Sequence, residues 1–589
     1  METQEARAVL PGGGFLIDGC APADVLTPED LKAEHQMVRK TAADFVAREI
    51  LPRVNEIERQ NWEITRGLLR KLGGLGFLAP DLPAEYGGGG MDSLVSLVIA
   101  EQFAVGSFSA TYGAHAGIGM LPIAFFGTEA QKRRYLPAMA RGDLVGAYAL
   151  TEPTAGSDAL SIRTRAVLSP DRAHYLLIGQ KQFITNAAIA DIFVTYAKVD
   201  GDQFTAFIVD RGAEGFGIGA EEEKMGMKGS STRGLFFENA RVPVENLLGE
   251  VGKGHRVAFN ILNLGRFKLG AWCVGAAKHA LSQAAAYACE RRQFGKALAE
   301  FGLIRQKLGR IASAAYAAES MVYRTGGLVE GAIGGIRGSE SVVRALEEYA
   351  IESSITKVFA SEMLDRTVDE LVQIYGGYGY IEAYPAARAY RDARINRIWE
   401  GTNEVNRMLI VDMLTRRAMR GRLNLMEAMR RVAGELTSMA PAAAQADGPL
   451  AEDAAIAAGM KKAALFCAGA AVQKYGAELE HEQEILAWIA DLAIEAFAAE
   501  SGVLRAQKAQ PRGDAGAEAC ALLARAYIEG ALPRVETAAR NVLSATDEGD
   551  TLRTELAGLR RLLRHTPASL MRLERAVAEK VIAAQGYPL

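Results

Sequence analysis

The sequence predicts a mainly α-helical protein with a central β domain and an extra helical domain at its C-terminal end. Three observations carry this. Apolar residues recur at helical spacing over long segments on both sides of residues 150–248. Within that window the texture changes to short β-branched and aromatic runs separated by Asp-Gly or polar turns. At 589 residues the chain is also too long for one compact core and should divide into domains.

Residues 1–26 read as a glycine-rich arm. Thr27-Pro28-Glu29-Asp30 then supplies a cap, a proline near the first turn and early acids, opening an N-terminal helical domain over 27–149. Its helical pattern resumes at "SLVSLVIAEQFAVG" and "TEAQKRRYLPAMARG", with "PAEYGGGGMD" as a breaker between segments. The β domain, 150–248, is read from "HYLLIGQKQFITNA", "IFVTYAKV" and "QFTAFIVDR", and closes near "LFFENARVPVENLLG". Over 249–414 the segments lengthen again, and "AWCVGAAKHALSQAAAYACERRQFG" carries alanine at close-packing positions. Residues 415–449 form a linker. Its "LTRRAMRGRLNLMEAMRR" mixes arginines with Leu and Met at helical spacing, which suits either an anionic membrane surface or a solvated, salt-bridged helix. "MAPAAAQADGP" follows it, and the alanine-rich remainder, 450–589, is helical in character.

Composition removes several classes of function. Nearly half the chain is apolar, 49%, and 23% is charged, so it should fold. A net charge of -4 gives no electrostatic case for nucleic acid. The five cysteines are odd in number and widely spread, without CxxC or metal-ligand spacing, and read as reduced thiols. No metal is expected. The start "METQEARAVLPGGG" lacks an apolar core for a presequence, and no uninterrupted apolar run of about 18 residues is present. The expectation is a soluble, cytoplasmic protein.

The candidate chemistry gathers around Glu400. Arg388, Arg391, Arg394 and Arg397 recur every three residues as a drifting cationic stripe, and Glu400 continues the spacing just before Gly401-Thr402, where a helix should break. Two roles are open on local chemistry. The carboxylate either pairs with the stripe, or turns beside Trp399 into a dry pocket that raises its pKa towards the range of a general base. "YALTEPTAGSDA" presents Thr151, Glu152 and the turn Gly156-Ser157-Asp158, which suits an anion or a polar ring edge as well as a capped loop. "QKQFITN" puts Phe183 and Thr185 on one side of a strand, for core packing or for one edge of a planar cofactor. "QIYGGYGY" reads as a glycine turn after a helix, and "ERRQFGK" sets Arg291, Gln293 and Phe294 at a helix end.

Taken in order, "YALTEPTAGSDA", "QKQFITN", "KMGMKGSSTRGLFFENARVPVENLLG", "ERRQFGK", "QIYGGYGY" and "RDARINRIWEGTNEVNR" resemble the acyl-CoA dehydrogenases over about residues 27–414. The resemblance implies that family's fold: an N-terminal helical domain, a β-barrel-like middle domain and a C-terminal four-helix bundle. "FNILNLGRFKLG", "FGLIRQKLGRIA" and the further helical domain look most like the very-long-chain branch. It also implies FAD, a fatty acyl-CoA oxidised to the trans-2-enoyl-CoA in β-oxidation, and a glutamate that takes the α-proton as the β-hydrogen leaves as hydride to flavin N5.

Residue by residue, Glu400 matches the base. Some members carry the base on the "NLGRF" helix instead, where this sequence has Gly265, which cannot serve. Tyr148, Leu150, Thr151, Gly156, Ser157, Phe183 and Thr185 match the surround of the flavin ring, with Phe183 where many relatives have Trp. Arg291, Gln293 and Phe294, with Gln373, Gly376 and Gly377, match the pyrophosphate and adenosine site, some of them across a subunit interface, and Thr402 and Glu404 complete it. On the substrate side the resemblance assigns Ser157, Asn263, Arg266 and Gly401. In "SATYGAHAGIGMLPI" the floor of the acyl tunnel would be Ala110, Gly113, Ala114, Ala116 and Gly117, small residues that admit a long chain or merely allow close helix packing.

The partners implied are an acyl-CoA, an electron-transfer flavoprotein, a second copy in a homodimer and peripheral contact with the inner face of a membrane. Two other functions fit the same motifs: an acyl-CoA oxidase that uses O2, and a non-catalytic FAD-binding assembly scaffold.

Overall fold

The computed structural model describes residues 10–334, 338–437, 448 and 450–589. The start of the chain at 1–9 and, apart from Gly448, the linker at 439–449 lie outside the described residues. Among the principal helices, α1 (Ala33–Phe45), α2 (Trp62–Gly74), α3 (Ser93–Gln102), α4 (Phe108–Gly113) and α5 (Glu129–Ala140) build the first domain. Thr27 and Asp30 do form a reciprocal cap, but around a 3-10 turn; Leu31 is extended, and the helix proper starts at Ala33. The arm before it is more than a tether. Gly13 N–H donates to Glu352 Oε1 at 2.6 Å, Lys461 Nζ donates to Asp18 O at 2.7 Å, and Phe15 packs 4.7 Å from Phe497.

The β domain holds β1 (Gly146–Ala149), β2 (Arg165–Leu168), β3 (His174–Thr185), β4 (Ile192–Val199), β5 (Gln203–Asp210), β6 (Phe216–Glu221), β7 (Thr232–Pro243) and β8 (Leu247–Leu248). The first strand therefore begins four residues before the expected boundary, in "GAYA", a run too short and small to read as β. Hydrogen bonding orders the sheet β6-β7-β3-β2-β4-β5-β8, with β1 added parallel to β4, so the strand order is open.

Three long helices make the next layer: α6 (Gly254–Glu290), α7 (Gly302–Ile333) and α8 (Ala350–Tyr375). Their alanine-rich faces are buried in one continuous core. Then come α9 (Pro385–Ala393), α10 (Asn403–Met419) and α11 (Leu425–Thr437). The basic linker resolves here into two helices. Leu425, Ala428, Met429 and Val432 on its apolar side are buried in the core, while Met419 and Met426 stay exposed.

The C-terminal domain comprises α12 (Ala451–Tyr475), α13 (Gln483–Ala509), α14 (Ala515–Thr546) and α15 (Leu570–Ala584), with a shorter helix between the last two. Ala451–His481 is long and apolar enough to cross a membrane, although its charged residues leave no uninterrupted apolar run of that length. Yet 61% of its apolar window is buried inside the protein, as in a core helix, and its Lys461 pairs with Glu500 at 2.6 Å. Buried ions tie this domain to the rest: Arg505 bridges Glu29 at 2.6 Å and Glu319 at 2.7 Å, and Tyr587 Oη donates to Glu319 at 2.7 Å. Removing one member would strand a buried charge.

Candidate active site

Glu400 does not join the arginine stripe. α9 tightens into a 3-10 turn at Arg394–Arg397, and the stripe disperses: Arg391 pairs with Glu382, and Arg397 with Asp365 at 3.1 Å. Glu400 then adopts φ +57° and Gly401 φ +78°. Two left-handed residues in succession reverse the chain and swing the carboxylate inward, a conformation strained for any residue but glycine. The surroundings hold it there. Arg266 Nε donates to Glu400 O at 3.0 Å, while Lys357 Nζ and Asn406 Nδ2 each donate to Gly401 O at 2.8 Å. Arg266 is itself fixed by Asn263 Oδ1 at 2.8 Å. Asn263 and Arg266 thus act on the backbone of the turn.

Burial pushes the Glu400 carboxyl up to about 7, against the pull of Arg266 and Lys357. The surface it keeps faces a cavity, and its Oε2 is a buried oxygen without a hydrogen-bond partner among the described residues. Lys357 is pushed down to about 8, again chiefly by burial. The sequence analysis missed Lys357; its signal is a single lysine inside the apolar helical run "SSITKVFASEML".

The cavity beside Glu400 has a volume of about 130 Å³. Ala110, Gly113, Ala114, Ala116 and Gly117 all line it, and Trp272 and Trp399 wall it near Glu400. Here α4 widens into a π-helical turn, Ala114–Gly119. A Cβ built on Gly113 or Gly117 would meet nothing within 4 Å, so side chains at these positions have room to project and the glycines are not forced by helix packing.

β3 forms the adjoining wall. Its alternation breaks at a bulge between Lys181 and Ile184, where Phe183 takes φ +59°. Phe183 and Thr185 therefore do not simply share one side of a strand: Ile184 is buried, Thr185 lines the cavity, and Phe183 stands 56% exposed. The 150–152 loop is laced to β3, with Gln182 N–H donating to Thr151 O at 2.9 Å and Lys181 Nζ to Leu150 O at 3.1 Å. The buried Lys181–Glu152 pair, 2.7 Å, fixes that lacing and is a second residue pair the sequence did not single out. Tyr148 lies close enough to Glu400 for that carboxylate to add to the upward shift that burial imposes on its phenol. Gly156 and Ser157 are exposed, and a Cβ on Gly156 would meet open space.

A second pocket of about 500 Å³ gathers Arg291, Gln293, Gln373, Gly376 and Gly377. Gly376, at φ +60°, ends α8, while Arg291 caps α6 and lies over the Tyr378 ring at 5.6 Å. Phe294 stands at the tip of the hairpin joining β9 (Arg292–Gln293) and β10 (Lys296–Ala297), 92% exposed. Thr402 and Glu404 belong to the other group. Thr402 Oγ1 accepts from Val405 N–H at 3.3 Å as the cap of α10, and a bond from its own backbone N–H holds the Glu404 carboxyl below the usual range. Arg291 lies 26 residues along α6 from Gly265, roughly 39 Å at the helical rise. One copy of the chain thus brings the expected cofactor residues together as two separate groups.

Comparison with known proteins places these features. Family models described as the N-terminal, middle and C-terminal domains of acyl-CoA dehydrogenases match residues 32–143, 147–240 and 252–415, and a second C-terminal-domain model matches 459–561. A probable acyl-CoA dehydrogenase of Bacillus subtilis is 47% identical over 591 residues, 99% of each chain. The human very long-chain specific acyl-CoA dehydrogenase is 40% identical over 368 residues, 60% of this chain and 53% of that one. Among solved structures, an acyl-CoA dehydrogenase complexed with FAD from Bacillus anthracis matches with a TM-score of 0.97 at 46% identity, covering 98% of this chain and 100% of that one.

Proposed function

We propose a reaction from one premise: the chain belongs to the acyl-CoA dehydrogenase family, and it is an FAD-dependent enzyme that oxidises acyl-CoA thioesters. In this reading Glu400 removes the α-proton of a long-chain fatty acyl-CoA, giving the trans-2-enoyl-CoA. One observation carries it: a buried carboxyl near pKa 7, with an unpartnered oxygen, at the wall of a cavity floored by small residues. A base poised near the working pH combines the right protonation state with adequate driving force. The strained turn, anchored by Arg266, Lys357 and Asn406, keeps that oxygen in place.

The residues present fit FAD. Thr185 lines the cavity beside Glu400, with Thr151 laced to the same strand next to it, and the Arg291 pocket offers a guanidinium and two glycines without side chains to an adenosine diphosphate. When bound, the flavin supplies the acceptor for the β-hydrogen. Because Arg291 and Glu400 are further apart in one chain than one FAD extends, the pocket of one copy would complete the site of another. This supports a homodimer, with Phe294 reaching across the interface.

We place an electron-transfer flavoprotein as the acceptor, and the protein in the cytoplasm, where its five free thiols stay reduced. Contact with the inner face of a membrane would fall to the exposed Met419 and Met426; failure to sediment with anionic vesicles would remove that idea. The deciding experiment is anaerobic addition of palmitoyl-CoA to the yellow protein and to Glu400→Gln. Bleaching of the flavin in the wild type alone, with FAD retained in both, is expected. Bleaching in both would remove Glu400 as the base, and rapid reoxidation in air without a protein acceptor would favour an oxidase.

A further inference from the structure

We propose that Lys268 is a specificity-determining residue that receives an anionic group at the far end of the acyl chain, so that preferred thioesters carry a terminal carboxylate. The inference rests on the acyl-CoA reading of the cavity. α6 turns one face to that cavity, through Leu264, Gly265, Lys268, Leu269 and Trp272, the spacing of a single helical stripe. Glu400 packs on this stripe at Gly265, and Lys268 follows one turn later.

The two ionisable groups sit in different charge environments. The charges acting on Glu400 are those of Arg266 and Lys357, whereas the charge acting on Lys268 is that of Asp81, in the loop between α2 and α3. Lys268 and Glu400 thus line one cavity from α6 and the turn, one helical turn apart along α6, and meet different charges. Among the described residues, no carboxylate lies within ion-pair distance of the Lys268 ammonium. Three hydroxyls that line the cavity already donate to backbone: Tyr112 to Phe77 O at 2.9 Å, Ser96 to Ser93 O at 3.1 Å and Ser109 to Gly106 O at 2.7 Å.

Lys278, the other lysine of α6, is likewise half-buried but differently placed. Lys278 is paired with both Glu101 and Glu319 and lies over the Tyr587 ring. Lys268 is half-buried, and burial depresses its basicity. An ammonium held against an apolar cavity without a partner is costly, and a carboxylate entering from the acyl end would offset that cost. A methyl-ended chain leaves the cost unchanged.

The test compares wild-type holoenzyme with Lys268→Met on paired thioesters, methyl-ended and ω-carboxylated, across an octanoyl-to-hexadecanoyl series. Somewhere in the series the wild type is expected to favour the ω-carboxylated partner in kcat/KM by roughly tenfold or more, the worth of one hydrogen-bonded charge. Lys268→Met should favour the methyl-ended partner instead. Preference for methyl ends at every length in the wild type, or a ratio indifferent to Lys268→Met, overturns the proposal. Calorimetric binding to the Glu400→Gln holoenzyme separates the two failures. Equal binding of both partners removes the role of Lys268 alone, whereas binding of neither removes the acyl-CoA reading of the cavity with it.

Discussion

The carboxylate of Glu400 occupies the space that a side chain on Gly265 would need. A Cβ built on Gly265 would stand 2.6 Å from Glu400 Cδ, closer than real Cβ contacts allow. The two positions are reciprocal: α6 carries no side chain at Gly265, and the carboxylate from the turn fills the space.

Gly265→Ala should therefore displace the carboxylate while barely affecting the fold, since the colliding group is the end of a flexible side chain. A misplacement of about 1 Å costs on the order of a hundredfold in rate. We expect kcat to fall at least about tenfold, with the flavin spectrum and the melting temperature nearly unchanged. Unaltered kcat would show that the contact does not set the position of the base.

The raised pKa of Glu400 has a kinetic and a thermodynamic sign. The base must be ionised, so kcat/KM of the free enzyme should rise with pH through a midpoint near 7. For stability, a carboxyl at 4.5 when unfolded and about 7 when folded binds its proton more tightly in the folded state. Its contribution is fully present below pH 4.5 and is lost as pH rises through 7, a change of about 3 kcal/mol. Denaturant titrations should thus find Glu400→Gln more stable than the wild type at pH 8 and nearly equal to it at pH 4.5. Parallel pH profiles for the two proteins would contradict the shift.

If the acyl chain lies along Gly113 and Gly117, a side chain added there projects into the cavity. Gly113→Leu is expected to reduce kcat/KM for palmitoyl-CoA by about tenfold or more while sparing butanoyl-CoA, because steric exclusion grows with chain length. Equal loss at both lengths would point to a packing defect.

The separation of Arg291 from Glu400 predicts complementation between subunits. Arg291→Ala should lose FAD and Glu400→Gln should lose turnover, each without unfolding. Co-assembled in equal amounts, they should recover about a quarter of wild-type activity, since half the dimers of a two-fold assembly are mixed and each carries one intact site. No recovery would place both residues in the same site of one chain or refute the dimer.

Much of the architecture is written in local patterns. Period-3.6 stripes mark α6 to α8, and β-branched runs mark β3 to β5, because these segments are long enough for periodicity to exceed noise. β1 escapes that logic, since "GAYA" becomes a strand only through its pairing with β4. The bulge at Phe183 escapes it too: nothing in "QKQFITN" announces an added residue in the ladder.

The motifs around Glu400 identify the family, and the glycine after it signals a turn. What the sequence leaves open at Glu400, pairing with arginines or entry into a dry pocket, is a question about which groups lie within a few ångströms. That is set by elements far apart in the chain: Arg266 on α6 and Lys357 on α8 hold the turn, and Gly265 vacates the space. Burial follows from packing, and burial fixes the pKa, so the chemistry of Glu400 was decided by the tertiary structure alone. The same holds for Lys268, which in sequence is one more lysine on a helix and in the fold lines the cavity beside Glu400.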